Sequence, residues 1–275
     1  MISRPWTRTA RSLFLGTALA LLAAAHLSPV GAQVTPDQMA EMILNSARKG
    51  YNEKNYPFAV MRFREFLAKF GGHKDAPIAR YGLALSLLDG PDKDHAGALE
   101  QLTPLMGLKD FPDRSYVLYY TGAAHRGLGV KELAQAKPQE APQRKQAAQQ
   151  RFDEAAKHFA LAATAFTASV KPPADDAKVL PMELEWAARS LCDQAEMQLR
   201  NLKTKEAQAT VAPFIKGSPF TKSRYQPLAH YYNGFACFLL NDYQNAGRSL
   251  SLLTPCERRG LELALRHDDP PRLRP

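Results

Sequence analysis

Seven histidines and three cysteines are the residues in this 275-residue sequence best suited to metal or nucleophilic chemistry. The histidines stand at 26, 73, 95, 125, 158, 230 and 267. None falls into a His-x3-His or Glu-x2-His spacing and no Cys-x2-Cys occurs, the spacings that would place such ligands on one helical face. His267-Asp268-Asp269 offers metal ligands on paper, but a proline-flanked tail is a poor cage. The nucleophile elbow, the phosphate loop and the dinucleotide-binding glycine pattern are absent. Gly127-Leu128-Gly129 follows a helix-forming stretch rather than a strand and reads as a turn. Triads are assembled by geometry, so distant catalytic groups stay open as an alternative. The leading expectation is a non-catalytic chain with no cofactor and no metal.

The elements available to position any site are helices. The sequence holds 42 Ala and 35 Leu against 8 Val and 4 Ile, so helix formers dominate and strand formers are scarce. Residues 1–32 read as a cleaved secretory signal peptide. Arg4, Arg8 and Arg11 precede an apolar run from Leu13 to Leu27, and Val30-Gly31-Ala32 supplies small residues for cleavage after Ala32. The expected location is therefore periplasmic or extracellular. Removing three arginines leaves 33 basic against 27 acidic residues, or +6 in place of +9. That excess suits peripheral contact with anionic envelope surfaces, and the absence of a Lys/Arg run argues against nucleic acid. Cys192 and Cys237 lie in apolar helical stretches and read as buried free thiols rather than as a disulfide, with Cys256 the third.

A phrase recurs along the chain. Asn55 to Phe63 places an aromatic three residues before Ala59 and another four after it, and Arg151 to Phe159 repeats this around Ala155. Asp242 to Ala246 repeats it with Leu250 in the final place. These offsets fall on one helical face. A small residue also stands twelve positions before the alanine, as Ala47, Ala195 and Gly234 before Ala59, Ala207 and Ala246. Anchors at Ala59, Ala98, Ala155, Ala207 and Ala246 predict an all-α, α-solenoid fold of about five antiparallel helix pairs.

The pattern resembles the tetratricopeptide repeat family, over residues 35 to about 254, within a repeat domain spanning 33–254. Phe66-Leu67-Ala68-Lys69-Phe70 and the following Ala79 to Ala84 also look like periplasmic repeat proteins associated with the Tol-Pal and outer-membrane assembly systems, without a lipid-anchor cysteine. The resemblance implies a concave groove lined by the first helix of each pair. Carried over by register, its inner stripe is Arg48, Tyr51 and Asn52; Tyr81 and Leu85; Tyr116, Tyr119 and Arg126; Arg189, Glu196 and Arg200; then Tyr231, Phe235 and Phe238. Tyr and Arg are enriched at binding hot spots. The function this implies is an exported interaction scaffold holding an envelope protein or peptide. The alternatives are a cationic binder of anionic polymer or lipid, and an enzyme on a closed helical ring.

Two segments depart from the repeat. Residues 130–150 hold six Gln, four Lys or Arg, Pro138 and Pro142, and read as a polar insertion, either helical or disordered, on one face of the array. Residues 255–275 read as a capping helix over Glu257 to His267 or as a loose tail, and Tyr231, Phe235 and Phe238 could mark a face that awaits another repeat or subunit.

Overall fold

The computed structural model describes residues 35–171, 173, 179–217 and 219–253. The segments expected to be a signal peptide (1–32) and a cap or tail (255–275), with Cys256 and His267-Asp268-Asp269, lie outside the described residues. The chain forms two compact units, Met1–Met42 and Ile43–Pro275. Of the first, residues 35–42 are described, where the first helix begins; the packing described below is that of the second.

The described residues are all-α, with ten helices and no strand. They are α1 (Pro36–Asn52), α2 (Tyr56–Phe70), α3 (Ala76–Asp89), α4 (His95–Met106), α5 (Arg114–Ala134), α6 (Ala141–Ala168), α7 (Met182–Arg200), α8 (Thr204–Val211), α9 (Gln226–Leu239) and α10 (Tyr243–Ser251). Consecutive helices pack on one another in antiparallel pairs, and each pair leans on the next, which is a solenoid-like arrangement. Two 3-10 turns, Ala212–Phe214 and Pro219–Lys222, join α8 to α9.

One turn geometry recurs between the helices of a pair. Lys54, Lys93, Leu202 and Asn241 each adopt a positive φ, between 46° and 62°. In three of these turns the next residue's N–H returns to a carbonyl five residues back: Asn55 to Gly50 at 2.8 Å, Lys203 to Gln198 at 2.8 Å, and Asp242 to Cys237 at 2.9 Å. Such a bond closes the outgoing helix. At three of the four turns the next helix is opened by a side-chain cap, since Asn55, Asp94 and Asp242 accept from the backbone N–H three residues on; α8, which follows Lys203, has none. The α3–α4 turn is longer by Gly90-Pro91-Asp92, so Asp94 instead reaches back to the Leu87 carbonyl at 3.0 Å.

Glycines let the helices approach. A Cβ at Gly82 of α3 would stand 2.3 Å from the Phe63 ring of α2, and one at Gly122 of α5 would stand 2.8 Å from Phe159 of α6. Gly129 meets Phe152 in the same way, at 2.6 Å. The reading of Gly127-Leu128-Gly129 as a turn is overturned: all three lie inside α5. Gly129 is there because Phe152 occupies the space of its missing side chain. Residues 130–150 comprise the end of α5, a short connection and the start of α6. Arg144 links them by pairing with Glu132 at 2.8 Å and Glu140 at 3.0 Å. Cys192 and Cys237 are buried and free, with Gln208 Nε2 donating to Cys237 Sγ at 3.1 Å.

Candidate functional site

Two helical stripes face each other. On α5, Tyr119, Arg126 and Val130 recur at steps of seven and four; on α7, Arg189, Asp193, Glu196 and Arg200 recur at steps of four, three and four. Both spacings return to one side of a helix. Between them, and against Leu88, Asp89, Lys93 and His95 from α3, its turn and α4, lies an open pocket of about 470 Å³. A second pocket of about 470 Å³, with Tyr56, Val60, Arg64 and Lys131 in its walls, meets the first at Lys93.

The pocket floor is an ion network centred on Asp193, which is buried. The Tyr119 hydroxyl donates to Asp193 Oδ2 at 2.7 Å, and Arg126 Nη1 donates to Oδ1 at 3.0 Å. Arg189 Nε stands 3.6 Å from Oδ2. Arg126 also reaches Glu196 at 3.4 Å, and Glu196 in turn pairs with Arg200 at 2.7 Å. Each guanidinium lies over an aromatic ring as well: Arg189 over Tyr119 at 5.0 Å and Trp186 at 5.3 Å, Arg126 over Phe159 at 5.6 Å, and Arg200 over Phe152 at 5.6 Å. Burial pulls the Arg126 pKa down, but Asp193, Tyr119 and Glu196 outweigh it and hold the guanidinium above its ordinary range. Burial, with Asp193 accepting its proton, raises the Tyr119 phenol well above its ordinary value. The floor is thus a connected network of ion pairs and hydrogen bonds in which Asp193 links α5 to α7.

The opposite rim is set by burial. Asp89 accepts from the Tyr51 hydroxyl at 2.8 Å, and desolvation raises its carboxyl above the ordinary range despite that bond and despite Lys93. The His95 ring fills the space a side chain at Gly127 would take. Burial, then Lys93, Lys131 and Arg126, lower its pKa.

The structure brings Tyr119, Arg126, Arg189, Glu196 and Arg200 into this one pocket. Tyr51, Tyr81 and Leu85 are buried, and Tyr119 is buried too, so these pack the interior. Tyr116 is half-buried, edge-on to Trp186 at 5.2 Å. Arg48 is half-buried and Asn52 exposed on α1. Tyr231, Phe235 and Phe238 form an exposed stripe on α9, away from the pocket. Asp193, Asp89, Lys93 and His95 were missed in the sequence. The signal for Asp193 was present in Arg189-x3-Asp193-x2-Glu196-x3-Arg200, a ladder of opposite charges at helical spacing.

Next to the pocket, His125 of α5 stacks on His158 of α6 with ring centroids 5.5 Å apart and planes 5° apart. Burial, then His158 and Arg151, lower His125 to about 4, with Glu154 opposing. Burial also lowers His158, with Glu154 opposing and Lys157 adding to the effect. A folded pKa below the unfolded value means that the unfolded chain binds the extra proton. Stability is therefore complete above the unfolded value near 6.5 and falls as pH drops toward about 4. Between pH 7 and about 5, urea unfolding should lose about 1–2 kcal/mol through His125, less than the full shift gives because pH 5 still lies above the folded value of about 4. His125→Phe should flatten this part of the profile; an identical slope in the variant would remove the pair as its cause.

The geometry defines an all-α, solenoid-like protein with an aromatic-walled, ion-paired pocket between the first helices of its pairs. No protein-family model matches the chain, and no curated protein matches it significantly.

Proposed function

We propose that this chain is a non-catalytic interaction scaffold of the tetratricopeptide-repeat type. On that reading it is exported by its N-terminal signal and holds a segment of an envelope protein or peptide against the first helices of its pairs. The observation that carries this reading is the pocket at Tyr119, Arg126, Arg189 and Arg200, whose charged floor is already assembled. Preorganisation lowers the ordering cost of binding. The second pocket meeting it at Lys93 extends the surface toward Arg64 and Tyr56, which suits an extended segment rather than a small molecule. Asp193 and Glu196 are each engaged by guanidinium groups, which ties both carboxylates into the pocket's framework. The same pairing leaves less unopposed positive charge for a polyanion.

The test uses exposed positions on the rim, because Tyr119 is buried and its replacement would damage the fold. Val130→Asp with Arg200→Ala should reduce the partner recovered by cross-linking in the producing cells at least about tenfold, a loss of about 1.4 kcal/mol in binding. Helicity and unfolding midpoint should stay near those of the parent. Recovery unchanged by the pair would refute the groove. Recovery that collapses between about 0.1 and 0.5 M salt would favour an anionic polymer instead.

A further inference from the structure

The α3–α4 turn differs from its counterparts by the extra Gly90-Pro91-Asp92, and the residue that follows them, Lys93 at φ 46°, stands in the walls of both pockets. Its Nζ donates to the Asp89 carbonyl at 3.2 Å. Arg64 of α2 and Lys131 of α5 share the second pocket with it. All three are exposed, and none of them is in an ion pair among the described residues. In the first pocket, by contrast, Arg126, Arg189 and Arg200 are each matched to Asp193 or Glu196. The seam between the pockets is electrically positive by a second sign. Burial first, then Lys93, Lys131 and Arg126, hold the His95 imidazole below its ordinary pKa, with Asp94 opposing. Cations from the turn and from α5 thus bear on one ring where the pockets meet.

We propose that this seam is a subsite for a single carboxylate: the side chain of one Asp or Glu, set between apolar residues of the extended segment in the groove, received by Lys93, Lys131 and Arg64. The subsite rests on the groove reading above and supplies its charge-dependent contact. Asp92 and Asp94 also line the second pocket, and Asp94 is already turned to the Gly97 N–H at 2.9 Å as the cap of α4. Three cations against two carboxylates leave one positive charge, which matches one carboxylate. A run of anions would meet Asp92 in the second pocket and Asp89 and Glu196 in the first, so repulsion discriminates against it. Val60, Leu87 and Pro91 on one side of Lys93, and Leu88 and Val130 on the other, give the flanking residues apolar walls. Such walls also lower the local dielectric and strengthen a charge pair between them.

Random heptapeptides displayed on phage and selected on the full chain supply the probe. The selected peptides should carry one Asp or Glu flanked by apolar residues. Replacing that residue by Asn or Gln in the synthetic peptide should weaken binding at least about tenfold. With Lys93→Gln and Lys131→Gln in the protein, both at exposed positions, the acidic peptide and its amide twin should bind within about twofold of each other, while the unfolding midpoint stays near the parent's. Selected peptides without an acidic residue would overturn the subsite and leave the groove reading standing. So would a tenfold preference for the acidic twin that survives in the double variant. A selection that returns no peptide above background would overturn both. Enrichment of acidic runs, with binding lost between about 0.15 and 0.5 M salt, would replace the single carboxylate by a polyanion.

Discussion

Asp193→Ala should cost about 3–5 kcal/mol of unfolding free energy, read as a large fall in the urea midpoint at pH 7. The carboxylate is buried and holds Tyr119, Arg126 and Arg189 at once. Removing it leaves two guanidinium groups facing each other across α5 and α7 with less counter-charge, and a buried phenol without its acceptor. Arg126 keeps Glu196, at 3.4 Å, so the loss is bounded rather than total. Since domains of this kind are stable by about 5–15 kcal/mol, the variant should sit close to the unfolding threshold. Asp193→Asn retains an acceptor for Tyr119 but no charge and should fall between the two. A loss below about 1 kcal/mol for Asp193→Ala would show that the network contributes position but little energy.

Phe159→Ala should cost a similar amount, about 3–5 kcal/mol, for a different reason. Its ring is fully buried, lies 5.4 Å from Tyr119, sits beneath the Arg126 guanidinium and fills the space beside Gly122. The α5 and α6 backbones approach closely at that glycine, so truncation leaves a cavity that neighbouring side chains cannot easily fill. Met61→Ala, at an exposed position on α2, is the control and should lose less than about 1 kcal/mol. Both sites share Tyr119 and Arg126. The Asp193→Ala, Phe159→Ala double variant should therefore lose less than the sum of the singles, and strict additivity would mean that the α5–α7 bridge and the α5–α6 seam are independent.

The all-α class and the helix pairing were legible because local chemistry and packing agree. Alanines and glycines recur opposite aromatic residues at helical spacing, and those same residues interlock as Gly82 with Phe63 and Gly122 with Phe159. Gly129 was misread because glycine more often breaks a helix than serves inside one; its role depends on Phe152, 23 residues away, which local reading cannot weigh. The pocket was half legible. Register placed Tyr119, Arg126, Arg189 and Arg200 on the correct helices, but a hydroxyl and three guanidinium groups say nothing of what they face. Asp193 decides that Tyr119 points inward rather than toward a ligand, and a single Asp in a polar helix looks like surface. Lys93 and His95 enter the pocket through a turn lengthened by Gly90-Pro91-Asp92, whose path no helical register describes.

The α5–α6 pair has one more consequence. Gly122 and Gly129 are seven residues apart on one arm, and their partners Phe159 and Phe152 are seven apart on the other. Seven residues is close to two helical turns, so each contact repeats the one before it at the same angle. A hairpin built this way can grow or shrink at its tip by equal heptads on both arms and leave every contact nearer the pocket in phase. The tip around residues 135–140, where the two helices are joined, is thus the place where length could change by equal heptads while the remaining pairs keep their register.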